Sequence, residues 1–150
     1  MELLAINKDI LLYIILGVGL LICTITDLKN RVIYLSVIIA ELLLLSGFHI
    51  WQESFLVVNI IGAVIVYVLF AVIGLVSGGQ IGFGDAFLFA VTGLGLGFMA
   101  NIFIIMLSFI LAFCAAAFLV VIKHKPHNYS IPLAPFVLSA FTFYLIGIYV

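Results

Sequence analysis

The chain has 150 residues, 68% of them hydrophobic and 7% charged, with five Lys and Arg against six Asp and Glu. A soluble domain is about 45–50% apolar and about 25% charged, so these few charges cannot clothe a water-facing surface. The net charge of −1 says little about partners, no basic patch offers itself to a nucleic acid, and the length suits a single domain over residues 1–150.

A membrane-spanning helix needs roughly 17–25 mostly apolar residues. Cutting the sequence where polar residues or glycines cluster predicts an all-α, polytopic bundle of six transmembrane helices at 10–26, 32–48, 55–77, 81–99, 101–122 and 131–149. The first run is a spanning helix and not a secretory signal: its only basic residue is Lys8, beside Asp9, and no small-x-small cleavage site follows. Cys23 and Cys114 both lie in apolar runs outside any CxxC pair, which predicts two buried thiols and no thiolate metal site. Six spans put the segments near 27–31, 78–82 and 123–130 on one side and both termini on the other. Lys29, Arg31, Lys123 and Lys125 fall on the first side and only Lys8 on the second. Basic residues favour the cytoplasm, so both termini are expected to be non-cytoplasmic.

The same topology sorts the acids. Glu2, Asp9 and Glu53 fall in water-exposed segments. Asp27 closes the first span and Asp85 opens the fourth, so both sit at the cytoplasmic edge on different helices. Ionisable groups at membrane depth are expensive and usually functional. Two carboxylates brought together do not both ionise easily and can share a proton, which suits one to activate water and the other to polarise a carbonyl. Taken singly, either Asp could instead be an interfacial residue or a helix cap, Asp85 through the dipole of its helix. Glu41 lies within IIAELLLL near the expected midplane, where the structural expectation is a protonated Glu hydrogen-bonded to a neighbouring helix.

Around Asp85 the sequence reads SGGQIGFGD from Ser77. The two glycines just before the acid allow a sharp turn and close approach to a substrate. GFGD at 82–85 resembles the GxGD motif of membrane aspartic proteases. TDLKNRVI, Thr26 to Ile33, resembles the type IV prepilin peptidase segment in which the first catalytic Asp is followed by basic residues and Ile-Pro, and IPLAPF, Ile131 to Phe136, resembles that family's late Ile-Pro-Phe-x-Pro-Phe stretch. The resemblance implies Asp27 and Asp85 as the catalytic pair, with Gly82, Gly84, Lys29, Arg31, Pro132 and Pro135 as supporting or substrate-binding residues. It implies cleavage of the basic leader of a prepilin-like membrane protein at the cytoplasmic face of a prokaryotic inner membrane, without metal or cofactor. A prepilin's apolar helix, seated in the bilayer, puts its scissile bond at the depth that span counting assigns to the two acids. Tyr34 stands where the family has Pro, and Phe87 where it has Lys two residues after the second acid, which removes a positive charge. The chain has no region matching the paired-cysteine segment associated with N-methylation, so a peptidase core without methyltransferase activity is expected. A non-catalytic subunit keeping the fold and a small transporter are the competing readings.

Two further features are predicted to be structural. The glycine spacings 74, 78, 82 and 93, 97 suit close helix packing. His124 and His127, in KHKPHNYS, lack convergent partners for a metal, and the basic loop suits anionic lipid.

Overall fold

The computed structural model describes residues 2–52, 56–78, 82–121 and 131–149. Among them lie six helices and no strand: α1 (Glu2–Asn30), α2 (Leu35–Trp51), α3 (Leu56–Val76), α4 (Phe83–Leu96), α5 (Phe98–Val121) and α6 (Ala134–Tyr149). Helices are the required answer for such a chain, because in lipid every backbone N–H and C=O must be paired within its own segment. Three stretches are long and apolar enough to cross a membrane: Ile10–Asn30, Val57–Val76 and Phe98–Val121. The other three helices are apolar but shorter. Lys123, Lys125, His124, His127 and Glu53, and the side chains of Glu2, Lys8 and Asp9, lie outside the described residues.

The outer surface is apolar, as in a protein that faces lipid. Leu43, Val76 and Met99 are 70%, 83% and 80% exposed, and exposed apolar side chains continue along α1, α2, α3, α5 and α6. Patches of this extent are not tolerated against water. The inner faces differ less in polarity than in fit. On α1 the buried residues Leu12, Leu16, Leu20, Cys23 and Asp27 recur every three or four positions, so Asp27 belongs to the inward stripe.

The short helix α4 is the centre of the bundle. It packs on α1, α2, α3 and α5, and Ala86 and residues 88–95 are buried. Phe70 and Phe89 meet at 4.8 Å between ring centroids, and Phe109 stacks on Phe70 at 5.8 Å, joining α3, α4 and α5. Buried polar groups fix its far end. Asn101 donates through Nδ2 to the Phe89 carbonyl at 2.9 Å, Thr92 donates to Asn101 Oδ1 at 2.6 Å, and His49 Nε2 donates to the Leu94 carbonyl at 2.9 Å. At 14 residues α4 is about 21 Å long, well short of the ~30 Å hydrocarbon layer. At its first turn a cavity opens, bordered by residues 31–33 and 131–133.

Several expectations change. α1 continues to Asn30, beyond the predicted end at 26, and α4 stops at Leu96 because Gly97 turns the chain into α5 with φ +82°. The glycines form no single packing stripe. Gly93 is a close contact, with Ala63 Cα 3.5 Å from where a Cβ would stand and Asn101 Nδ2 nearer still, whereas Gly78 ends α3 at φ +69° beside open space. Cys23 is buried, but Cys114 is exposed on the outer face of α5, contrary to the prediction of two buried thiols. The hydrogen bond expected for Glu41 is also absent among the described residues: both carboxyl oxygens are buried and neither has a partner there.

Candidate active site

Each acid is placed by backbone geometry at a helix end. α1 closes at Arg31, whose N–H donates to the Asp27 carbonyl at 3.0 Å and whose φ is +56°. A left-handed conformation costs a non-Gly residue about 1–2 kcal/mol, and such strain concentrates at functional sites. It directs the chain through Val32 and Ile33 to Tyr34, the N-cap of α2. Tyr34 has φ −73° and ψ 119°, the backbone that proline would adopt, so Tyr in place of the family's Pro leaves the local path unchanged. Its hydroxyl also accepts from Asn30 Nδ2 at 3.1 Å, tying the end of α1 to the start of α2.

Asp85 lies in the first turn of α4. Gly82 is the N-cap, and its carbonyl accepts the Asp85 N–H at 3.0 Å. Gly82 has φ −71°, open to any residue, so the expected sharp turn is not what calls for glycine. Gly84 is different: a Cβ there would stand 3.1 Å from Ile33 Cβ. The second motif glycine thus lets the start of α4 press against the segment that follows Asp27, which sets the two acids relative to each other.

Asp27 is 7% exposed, and its Oδ2 accepts the N–H of Ala134 at 3.0 Å. Ala134 is the first residue of α6, so the carboxyl of α1 caps a helix 107 positions later in the chain. A carboxylate is well placed at the N-terminal end of a helix, where N–H groups lack intrahelical partners.

A cavity of about 400 Å³ joins these pieces. Asp27, Arg31, Val32 and Ile33 form one wall, Gly82, Gly84 and Asp85 the second, and Ile131, Pro132 and Leu133 the third. Both carboxyl-bearing residues thus face one space from different helices. Arg31 brings a cation to the same space.

Of the residues singled out in the sequence, Asp27, Asp85, Gly82, Gly84, Arg31 and Pro132 meet at this cavity. Lys29 does not line it: it lies exposed in the last turn of α1, where a cation suits the helix dipole. Pro135 stands in the first turn of α6, its carbonyl accepting from Ser139 at 2.8 Å, and also stays outside the lining. Phe87 stacks against Tyr67 at 4.5 Å between centroids, away from the cavity, so exchanging Lys for Phe there does not strip a charge from the cavity wall. Sequence reasoning missed Ala134 and Ile33. The prolines at 132 and 135 marked a helix start, and a helix start always offers free N–H donors, which was the available signal for Ala134. Among the described residues no three His, Cys, Asp or Glu side chains converge as metal ligands would.

No curated protein and no solved structure matches the chain. The model of the type IV leader peptidase family matches residues 14–121, which carry both acids, Arg31 and the GFGD motif and stop short of the Pro132 segment. That match covers most of the chain, and the chain belongs to the type IV leader peptidase family.

Proposed function

We propose that the protein is an aspartic endopeptidase that removes the basic leader from prepilin-like precursors at the cytoplasmic face of a prokaryotic inner membrane. In this reading all six helices span the bilayer, both termini lie on the outer side, and Asp27 and Asp85 are the catalytic pair. The observation that carries it is the cavity itself: two carboxyls from separate helices share one polar-lined space at one end of an otherwise apolar body. Membership of the family supports the peptidase class.

The chemistry follows from a pair that holds one proton. A water between the acids gives a proton to the ionised carboxylate as its oxygen attacks the scissile carbonyl. The protonated partner donates to the carbonyl oxygen, and the tetrahedral intermediate forms with its charge offset by that donor and by Arg31. Collapse breaks the C–N bond, the leaving amine takes a proton from the acid that accepted it from water, and the products are a leader carboxylate and a new N-terminus. The hydrogen bond from Ala134 holds the Asp27 carboxyl in place through these exchanges.

The test is co-expression with a membrane substrate bearing a basic leader. Asp27→Asn and Asp85→Asn each abolish cleavage while the protein still accumulates in the membrane. Cleavage that survives either change removes that acid from the mechanism. A purified wild-type protein that leaves a panel of such precursors intact identifies a non-catalytic member of the family.

A further inference from the structure

A second cavity lies deeper in the bundle, between α1 and α2, and no step above uses it. Its volume is about 460 Å³, and Ile14, Val18 and Ile22 face Val37, Ala40 and Leu44 across it. Ile14, Val18 and Leu44 are 55%, 53% and 59% exposed, so the groove opens outward on the lipid side.

Within this apolar groove stands Glu41, 3% exposed. Its carboxyl occupies the place that a Cβ at residue 19 would fill, so Gly19 is what makes room for it. Neither oxygen has a hydrogen-bond partner among the described residues. Buried polar groups in folded proteins are almost always satisfied, and one left orphaned calls for an explanation. An acid at this depth costs more still. The sequence could have placed Leu here, as at the three positions that follow Leu42. An orphan acid on the wall of an outward-opening groove is satisfied if whatever fills the groove brings the partner.

The groove also has a register with the proposed active site. Gly19, Cys23 and Asp27 fall at successive i, i+4 positions on one face of α1. Eight helical residues span about 12 Å, so the Glu41 carboxyl lies about that far below Asp27 along the helix axis. Within lipid, a filler with its own backbone satisfied is a helix.

We infer that the α1–α2 groove seats the transmembrane helix of the substrate, and that Glu41 hydrogen-bonds a polar side chain which that helix carries roughly eight residues beyond the scissile bond. The inference rests on the peptidase reading. It makes the groove a specificity site: the apolar walls accept any hydrophobic helix, and the acid selects one with a hydroxyl, carboxamide or carboxyl at matching depth. When protonated, a carboxyl both donates and accepts, so it serves each of these groups.

The experiment uses the full chain in nanodiscs and two substrates with the same leader. One helix is wholly apolar and the other carries a single Gln, scanned through positions five to eleven. Wild-type protein shows a KM roughly fivefold lower for Gln at the matched position than for the apolar helix, as one intramembrane hydrogen bond gives. Glu41→Leu brings the ratio of the two KM values to about one, and Glu41→Gln keeps most of the preference. In an Asp85→Asn background, a photo-crosslinker at Leu44 captures the substrate helix. A wild-type enzyme indifferent to the Gln, a preference that persists in Glu41→Leu, or crosslinks from Leu44 only to lipid or to a second copy overturns the inference. In each of those cases, cleavage that still depends on Asp27 and Asp85 leaves the peptidase reading standing. Failure of wild type to cleave either substrate overturns both.

Discussion

Gly84→Ala is the sharpest probe of how the site is assembled. The added Cβ stands 3.1 Å from Ile33 Cβ, 3.4 Å from Cδ1 and 3.5 Å from Cγ1. Carbon atoms rest comfortably at about 3.5–4.0 Å, so the clash is with Cβ, and a Cβ cannot move by changing rotamer. Either the segment at 32–34 or the first turn of α4 must retreat by a few tenths of an ångström. Overpacking of this kind costs about 1–3 kcal/mol, and Ala recovers up to ~1 kcal/mol over Gly in a helix. The net loss of about 0–2 kcal/mol leaves the protein folded and inserted. Function is less forgiving, because the displaced parts carry Asp85 on one side and follow Asp27 on the other. A misplacement of ~1 Å costs about 10²-fold in rate, so a few tenths should cost about tenfold. The assay is leader cleavage by the purified protein, with thermal unfolding in the same detergent as control. Ile33→Gly, which removes the offending Cβ, restores activity in the Gly84→Ala background, and Ile33→Ala, which keeps it, restores little. A Gly84→Ala protein as active as wild type refutes the close-approach role, and equal rescue by both Ile33 variants refutes the assignment of the clash.

Two other outcomes follow from the same geometry. Arg31→Gly removes the cation from the cavity while keeping the left-handed backbone at no strain, so cleavage falls, and cleavage at the wild-type rate would deny Arg31 a part in offsetting the charge of the intermediate. Asp27→Ala leaves the buried Ala134 N–H without its acceptor and is about 1–3 kcal/mol less stable than Asp27→Asn, which retains an oxygen there, and equal unfolding midpoints for the two variants would deny the Asp27–Ala134 bond any part in holding α6.

Much of this site was legible because rarity and topology act on single residues. Asp27 and Asp85 stood out as acids at span ends, and the helix ends that carry them came within four residues of their predicted places, although α1 begins eight residues before its predicted start. The bounds erred where apolarity and hydrogen bonding part company. α1 runs on through Asp27, Lys29 and Asn30 because a helix ends where its backbone bonds end, here at Arg31, and not where polar side chains begin. The meaning of Phe87 and Tyr34 was not legible, because motif positions say nothing of direction: residue 87 points to Tyr67 on α3, and Tyr34 holds the dihedrals that proline would have held.

What the sequence withheld is pairwise and long-range. The Asp27–Ala134 bond joins residues 107 apart, and the Glu41 carboxyl is buried against Gly19 of another helix. The two acids of α1 and α2 nevertheless belong to one physical pattern. Asp27 is buried on the inward stripe and answered by the N-terminus of α6, whereas Glu41 is buried on the same pair of helices and answered by nothing. A fold that satisfies the costly carboxyl of Asp27 with a backbone donor, Ala134, has the means to satisfy another. Leaving Glu41 unsatisfied beside an open groove is consistent with a partner that arrives from the membrane, and it predicts the direction of one more measurement. Glu41→Leu, which removes an unpaired buried polar group and fills its place with hydrocarbon, should raise the unfolding midpoint while erasing the substrate preference. A midpoint that falls instead would mean that the acid is already satisfied within the chain, and the groove would lose its reason to bind.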